Sequence, residues 1–183
     1  MALTATIYHF QISVSDVDRG VYEALDLRVA RHPSETMRYL VTRTLAYCLN
    51  YEDGITFSKG GISSTEEPPV FVREPTGIMT AWIEIGSPSA ERLHKASKAC
   101  ERVALYSHVE LSLLLREAES RPIHRLDQIE LWRLEPEFLD AFDAHLEKNT
   151  KFELVRTDGQ LYVTLPKTTL NGTLVRSSLA PAA

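Results

Sequence analysis

Only two cysteines occur in 183 residues, Cys48 and Cys100, and both lie among apolar neighbours. That is too few for a disulfide framework or a cysteine-rich zinc site, and each reads as a buried thiol acting as a small hydrophobe. No apolar run approaches the roughly 18 residues a membrane-spanning helix needs. The opening Met1-Ala2-Leu3-Thr4-Ala5-Thr6 lacks the basic and apolar regions of a secretory signal. A cytoplasmic protein with no membrane partner is therefore expected. Excess positive charge is missing as well. Twenty Lys and Arg stand against 25 Asp and Glu, a formal charge of -5, so bulk electrostatics give no attraction to nucleic acid.

Familiar catalytic signatures are also lacking. There is no phosphate-cradling Walker loop, no Gly-x-Gly-x-x-Gly, no Gly-x-Ser-x-Gly and no His-Glu-x-x-His. The six histidines do not fall at metal-ligand spacing. Classical nucleotide folds, serine hydrolases and zincins are set aside on these grounds. Internal repeats, low-complexity tracts and interdomain linkers are missing too, so residues 1–183 read as one domain of ordinary composition, 44% hydrophobic and 25% charged.

What is present is a mixture of strand and helix signals. Residues 4–14 and 22–29 alternate around the turn Asp16–Gly20 and predict an opening β-hairpin. A helix follows from Pro33 and Ser34, with Met37, Leu40, Val41, Thr44, Leu45 and Cys48 at helical spacing. Short strands are expected at 55–58 and 70–72, separated by a polar loop over 60–69. The run Met79–Gly86 is a strand with Trp82 and Glu84 on one face and apolar residues on the other. Ser87-Pro88 opens the next helix, whose packing stripe is Leu93, Ala96, Ser97 and Cys100. Val103–Tyr106 is then a strand, parallel to the one before the helix. A helix over 109–118, a strand over 129–134, a helix from Pro136 to about Lys148 and a hairpin over 151–165 complete the reading. The class is α/β (α+β), with β-hairpins added at both ends of a mixed, helix-flanked sheet.

Chemistry is sought first at Glu84. A carboxylate on a central strand is costly to bury unless it is paired or holds a metal, and it lies near the carboxyl end of its strand, just before a helix. The plainer alternative is an edge or salt-bridged glutamate. If strands 70–72 and 79–86 pair, Glu67 falls near the same end, and the two carboxylates would meet on one Mg²⁺. A solvated acidic loop explains Glu66-Glu67-Pro68 equally well. Lys95 and Lys98 on the following helix form a basic face that is either solvated or aimed at phosphate. Arg31 and His32, before a helix start, are anion-binding candidates beside a purely structural helix entry.

Taken together, Ala30-Arg31-His32-Pro33-Ser34-Glu35-Thr36, Glu66-Glu67-Pro68, Trp82-Ile83-Glu84-Ile85-Gly86-x-Pro88 and Arg92-x-x-Lys95-Ala96 resemble the bacterial YaeQ family over nearly the whole chain. The resemblance implies a variant of the PD-(D/E)XK, restriction-endonuclease-like core. Its helix, three strands, helix and strand would fall on 34–50, 55–58, 70–73, 79–86, 88–101 and 103–107. By the same resemblance Glu67 and Glu84 would bind Mg²⁺, with Glu35 a further carboxylate. Lys95 would replace the lysine that the pattern places two residues after the second acid, where this chain has Gly86. Arg31, His32 and Arg92 would contact phosphate. Two functions are expected from it. One is a Mg²⁺-dependent nuclease or phosphodiesterase; the other is a non-catalytic protein that binds nucleic acid or protein through the same cleft.

Overall fold

The computed structural model describes residues 4–59 and 64–180, so Gly60 and the start of the expected polar loop lie outside the described residues. Ten strands form one nearly closed sheet in the order β2-β1-β8-β9-β10-β7-β6-β5-β4-β3. Four α-helices accompany it among the described residues.

The opening hairpin pairs β1 (Thr6–Asp16) with β2 (Val21–Arg31), and β1 lies parallel to β8 (Asn149–Thr157). Strand β8 turns through Asp158 and Gly159, both at positive φ, into β9 (Gln160–Leu165). Two consecutive left-handed residues give the tight turn whose twist suits a hairpin, which is why Asp-Gly stands there.

The other half of the sheet carries the elements around Glu84. Helix α1 (Met37–Leu49) starts one turn later than Pro33 and Ser34 suggested: Thr36 is its N-cap, and its hydroxyl oxygen accepts the Tyr39 N–H at 3.2 Å. Strands β3 (Ile55–Phe57), β4 (Val70–Arg73) and β5 (Met79–Ile85) form an antiparallel meander. Helix α2 (Ala90–Ala99) then crosses to β6 (Arg102–Ser107), parallel to β5 as expected, and β7 (Glu130–Leu134) runs parallel to β6. Here Ser89, not Ser87, caps the helix by accepting the Arg92 N–H. Helix α3 (Ser112–Ser120) begins later than predicted, and α4 (Pro136–Asp143) is shorter.

Strand β10 (Thr168–Ser177) lies beyond the predicted elements and joins the two halves, pairing with β9 on one side and β7 on the other. Its Gly172 is required by packing: a Cβ there would sit 2.7 Å from the Phe138 ring of α4.

Two apolar layers result. Phe10, Ile12, Val29, Leu40, Leu45, Ile83, Phe138, Phe152 and Val163 pack α1 and α4 against the concave face. Trp82, Leu93, Ala96, Val103, Leu105 and Leu114 pack α2 and α3 against the outer face of β5–β7. Strand β5 is therefore covered on both sides, and any charge on it must be answered by the protein.

Candidate functional site

A cleft of about 460 Å³ opens at the carboxyl ends of β5 and β6, between the N-terminal turns of α1 and α2. Its lining includes Tyr39, Glu84, Gly86, Ser87, Arg92 and His108. In open α/β sheets this is the end where ligands bind, because the chain leaves the strands there and the loops diverge.

Glu84 is only 3% exposed. Its Oε1 accepts hydrogen bonds from the indole N–H of Trp82 at 2.8 Å and from Nε–H of Arg92 at 2.5 Å. Burial pushes its carboxyl up, and the charge of Arg92, with these hydrogen bonds, pulls it back part of the way. The Arg92 guanidinium does more than neutralise Glu84. Nη1 donates to the carbonyls of Ser64 and Thr65 at 3.2 and 3.3 Å, and Nη2 to the carbonyl of Glu67 at 3.1 Å. Four oxygens thus surround one resident cation, with Nε, Nη1 and Nη2 all engaged. The arrangement draws the loop before β4 onto the end of β5.

The other candidates fall in separate places. The Glu67 carboxylate turns to Arg73 at 3.2 Å, while its main chain faces Arg92. Lys95 pairs with Glu66 at 3.1 Å in solvent. Glu35 is buried and held by Arg43 at 2.7 Å, and its second oxygen accepts the His32 N–H at 3.0 Å. Arg31 donates to the Glu35 carbonyl, and the His32 ring contacts the Ser34 hydroxyl. Arg43 also bonds the Ala30 carbonyl of β2 and lies 5.2 Å over the Phe57 ring of β3, touching both edge strands of the sheet.

The register of β4 and β5 does place Glu67 near the Glu84 end, but a guanidinium, not a shared cation site, joins the two segments. Among the described residues no three His, Cys, Asp or Glu side chains group so as to hold a metal ion. Each of the three carboxylates is instead paired with an arginine: Glu35 with Arg43, Glu67 with Arg73 and Glu84 with Arg92.

Gly86 has φ of 84°, its N–H bonded to the Tyr106 carbonyl as the chain leaves β5. A lysine there would adopt a backbone conformation that side chains disfavour.

Two titratable cleft residues were not singled out from sequence. Tyr39 comes from the first turns of α1; burial chiefly, and then Glu84, push its phenol well up, so it stays protonated. His108 directly follows β6, which ends at Ser107, and position at the carboxyl end of a parallel strand was the signal available for it.

The family model of the YaeQ protein matches residues 1–174. The chain belongs to the YaeQ family. The YaeQ protein of Escherichia coli (strain K12) is 28% identical over 172 residues, 93% of this chain and 94% of the relative. A Salmonella typhi YaeQ is 36% identical over 108 residues, 59% of each chain. Crystal structures of YaeQ from Xanthomonas axonopodis pv. citri and Pseudomonas syringae are similar to this chain, each with a TM-score of 0.85. They are 26% and 28% identical; the first covers 97% of this chain and 100% of its own length, the second 94% and 95%. The similarity thus extends over the hairpins and β10 as well as the elements that form the cleft.

Proposed function

We propose that this YaeQ chain is a non-catalytic binding protein that keeps a restriction-endonuclease-like core and meets a protein partner through the cleft beside Glu84. Support for the core comes from element order: α1, the meander β3-β4-β5, α2 and β6 follow the helix, three strands, helix and strand of that architecture. The observation that carries the functional reading is Arg92. It neutralises Glu84 and binds three loop carbonyls. A carboxylate already neutralised from within offers little to a divalent cation, and a guanidinium so engaged has little left for phosphate. Lys95 and Arg31 are similarly committed, to Glu66 and to the Glu35 carbonyl. With a formal charge of -5, these pairings favour a protein over a nucleic acid as the partner.

The second reading is a Mg²⁺-dependent phosphodiesterase, favoured by the position of Glu84 at the carboxyl end of the third core strand. Incubation with single-stranded, duplex and structured DNA and RNA, with Mg²⁺ or Mn²⁺, separates the two. The binding reading expects intact nucleic acid and no salt-dependent association in fluorescence anisotropy. Metal-dependent cleavage that disappears in Glu84→Gln overturns it. A benzophenone attached at Ser87→Cys, on the cleft wall, should cross-link a discrete protein partner, in competition with unlabelled chain.

A further inference from the structure

His108 lies in the cleft wall at 8% exposure, with one ring nitrogen against a threonine hydroxyl. The Thr42 hydroxyl donates to the Arg38 carbonyl at 2.7 Å, the usual back-bond of a threonine in a helix. A hydroxyl has a single proton, and with that proton committed to the Arg38 carbonyl the 3.2 Å contact between Thr42 Oγ1 and His108 Nδ1 is assigned with the ring as donor. The imidazole therefore carries its proton on Nδ1 and a lone pair on Nε2. Nε2 has no hydrogen-bond partner among the described residues.

The groups around the ring keep it neutral. Burial, Arg38 and Arg133 hold the imidazole below its ordinary range, while Asp140, opposing them, is tied to Arg38 through two 2.6 Å hydrogen bonds. Elsewhere in the cleft wall, the Tyr39 hydroxyl is protonated and has no hydrogen bond to another described residue. Glu84 and Arg92 cancel one another. The cleft thus presents the His108 lone pair and the Tyr39 phenol beside the hydroxyl residues Ser34, Thr36, Ser64, Thr65 and Ser87, and its two charged side chains, Glu84 and Arg92, pair with one another.

We propose that the cleft is a binding site for an uncharged amide group, with His108 Nε2 accepting its N–H and the Tyr39 hydroxyl donating to its carbonyl oxygen. An acceptor and a donor in one neutral cleft complement an amide, which carries one of each, and a carboxylate or phosphate would meet the lone pair of His108 unfavourably. The proposal rests on the reading of a protein partner, whose backbone and Asn or Gln side chains supply amides, and names the feature that the cleft recognises.

Imidazole nitrogen NMR on protein with ¹⁵N-labelled histidine tests it, with the His108 signals assigned through His108→Gln. Nδ1 should be the protonated nitrogen and Nε2 the bare one at neutral pH. Acetamide and N-methylacetamide should move the Nε2 resonance, and Tyr39→Phe should require roughly five- to tenfold more probe, as loss of one hydrogen bond implies. A proton on Nε2 overturns the proposal, as does a larger response to glycerol, acetate or inorganic phosphate than to acetamide, or no response to any of them. These results read the wild-type protein directly and do not depend on how well His108→Gln folds. A full amide response alongside metal-dependent cleavage of nucleic acid would leave this site standing and refute the non-catalytic reading alone.

Discussion

Replacing Arg92 with methionine removes the charge beside Glu84 while keeping much of the apolar stem. Glu84 then remains in the second apolar layer, its side chain 4% exposed, with the Trp82 indole as its one remaining side-chain donor among the described residues. Removing one partner of a buried pair costs about 3–5 kcal/mol, because the other charge stays behind. For a domain of this size each kcal/mol shifts the melting temperature by roughly 2–4 °C, so a fall of roughly 6–20 °C is expected. The pH dependence has a definite sign. Burial already raises the Glu84 carboxyl above its ordinary value of 4.5, and loss of Arg92 raises it further. A group whose folded pKa lies above its unfolded one binds more protons when folded, so its contribution is fully present below the unfolded value and lost as pH rises through the folded one. The deficit of Arg92→Met relative to wild type should be large at pH 8 and shrink toward pH 5. Urea unfolding at both pH values measures it. Adding Glu84→Gln should recover most of the loss, leaving a remainder from the three loop carbonyls that Arg92 no longer binds. A deficit that is the same at both pH values, or a double variant that loses the sum of the two singles, would refute the argument.

Arg43→Met should also cost about 3–5 kcal/mol by urea unfolding, since Glu35 is fully buried and has no other cationic partner among the described residues. Gly86→Lys, which puts a lysine two residues after Glu84, should lower stability by about 1–2 kcal/mol in the same assay, because the residue sits at φ of 84°; on the binding reading it confers no metal-dependent cleavage. Lys95→Ala should change stability by less than about 1 kcal/mol in a thermal melt, its pairing with Glu66 being exposed to solvent.

The core strands and α1 were legible because their apolar residues recur at the periods of strand and helix. The sequence also placed Glu84 at a strand end, since Gly86 and Pro88 mark where β5 stops. Strand β10 was harder to see: Thr168–Ser177 is rich in Thr, and the Gly in its middle reads as a breaker unless Phe138 is known to lie over it. The late starts of α1 and α2 have one cause, a second hydroxyl residue downstream of the first that makes the better cap. For the cleft, periodicity identified the elements but not the pairings. Arg92 was expected to face phosphate. Only the fold shows that its reach ends on Glu84 and on carbonyls 25 to 28 residues earlier in the chain. His108 went unnoticed because a search for clusters passes over a lone imidazole whose significance comes from one threonine.

The bridging position of β10 bears on how this chain reaches its native state. Its neighbours β9 and β7 belong to different halves, and β8 must reach back across most of the sequence to lie beside β1. Contacts so distant along the chain form only after a large loss of chain entropy, so folding should be slow for a protein with this much local hairpin. Until residues 168–177 arrive, β7 and β9 each present an unpaired edge, and such edges are where strands from different molecules add to one another. Refolding yield should therefore fall with protein concentration more steeply than the stability of the finished sheet suggests.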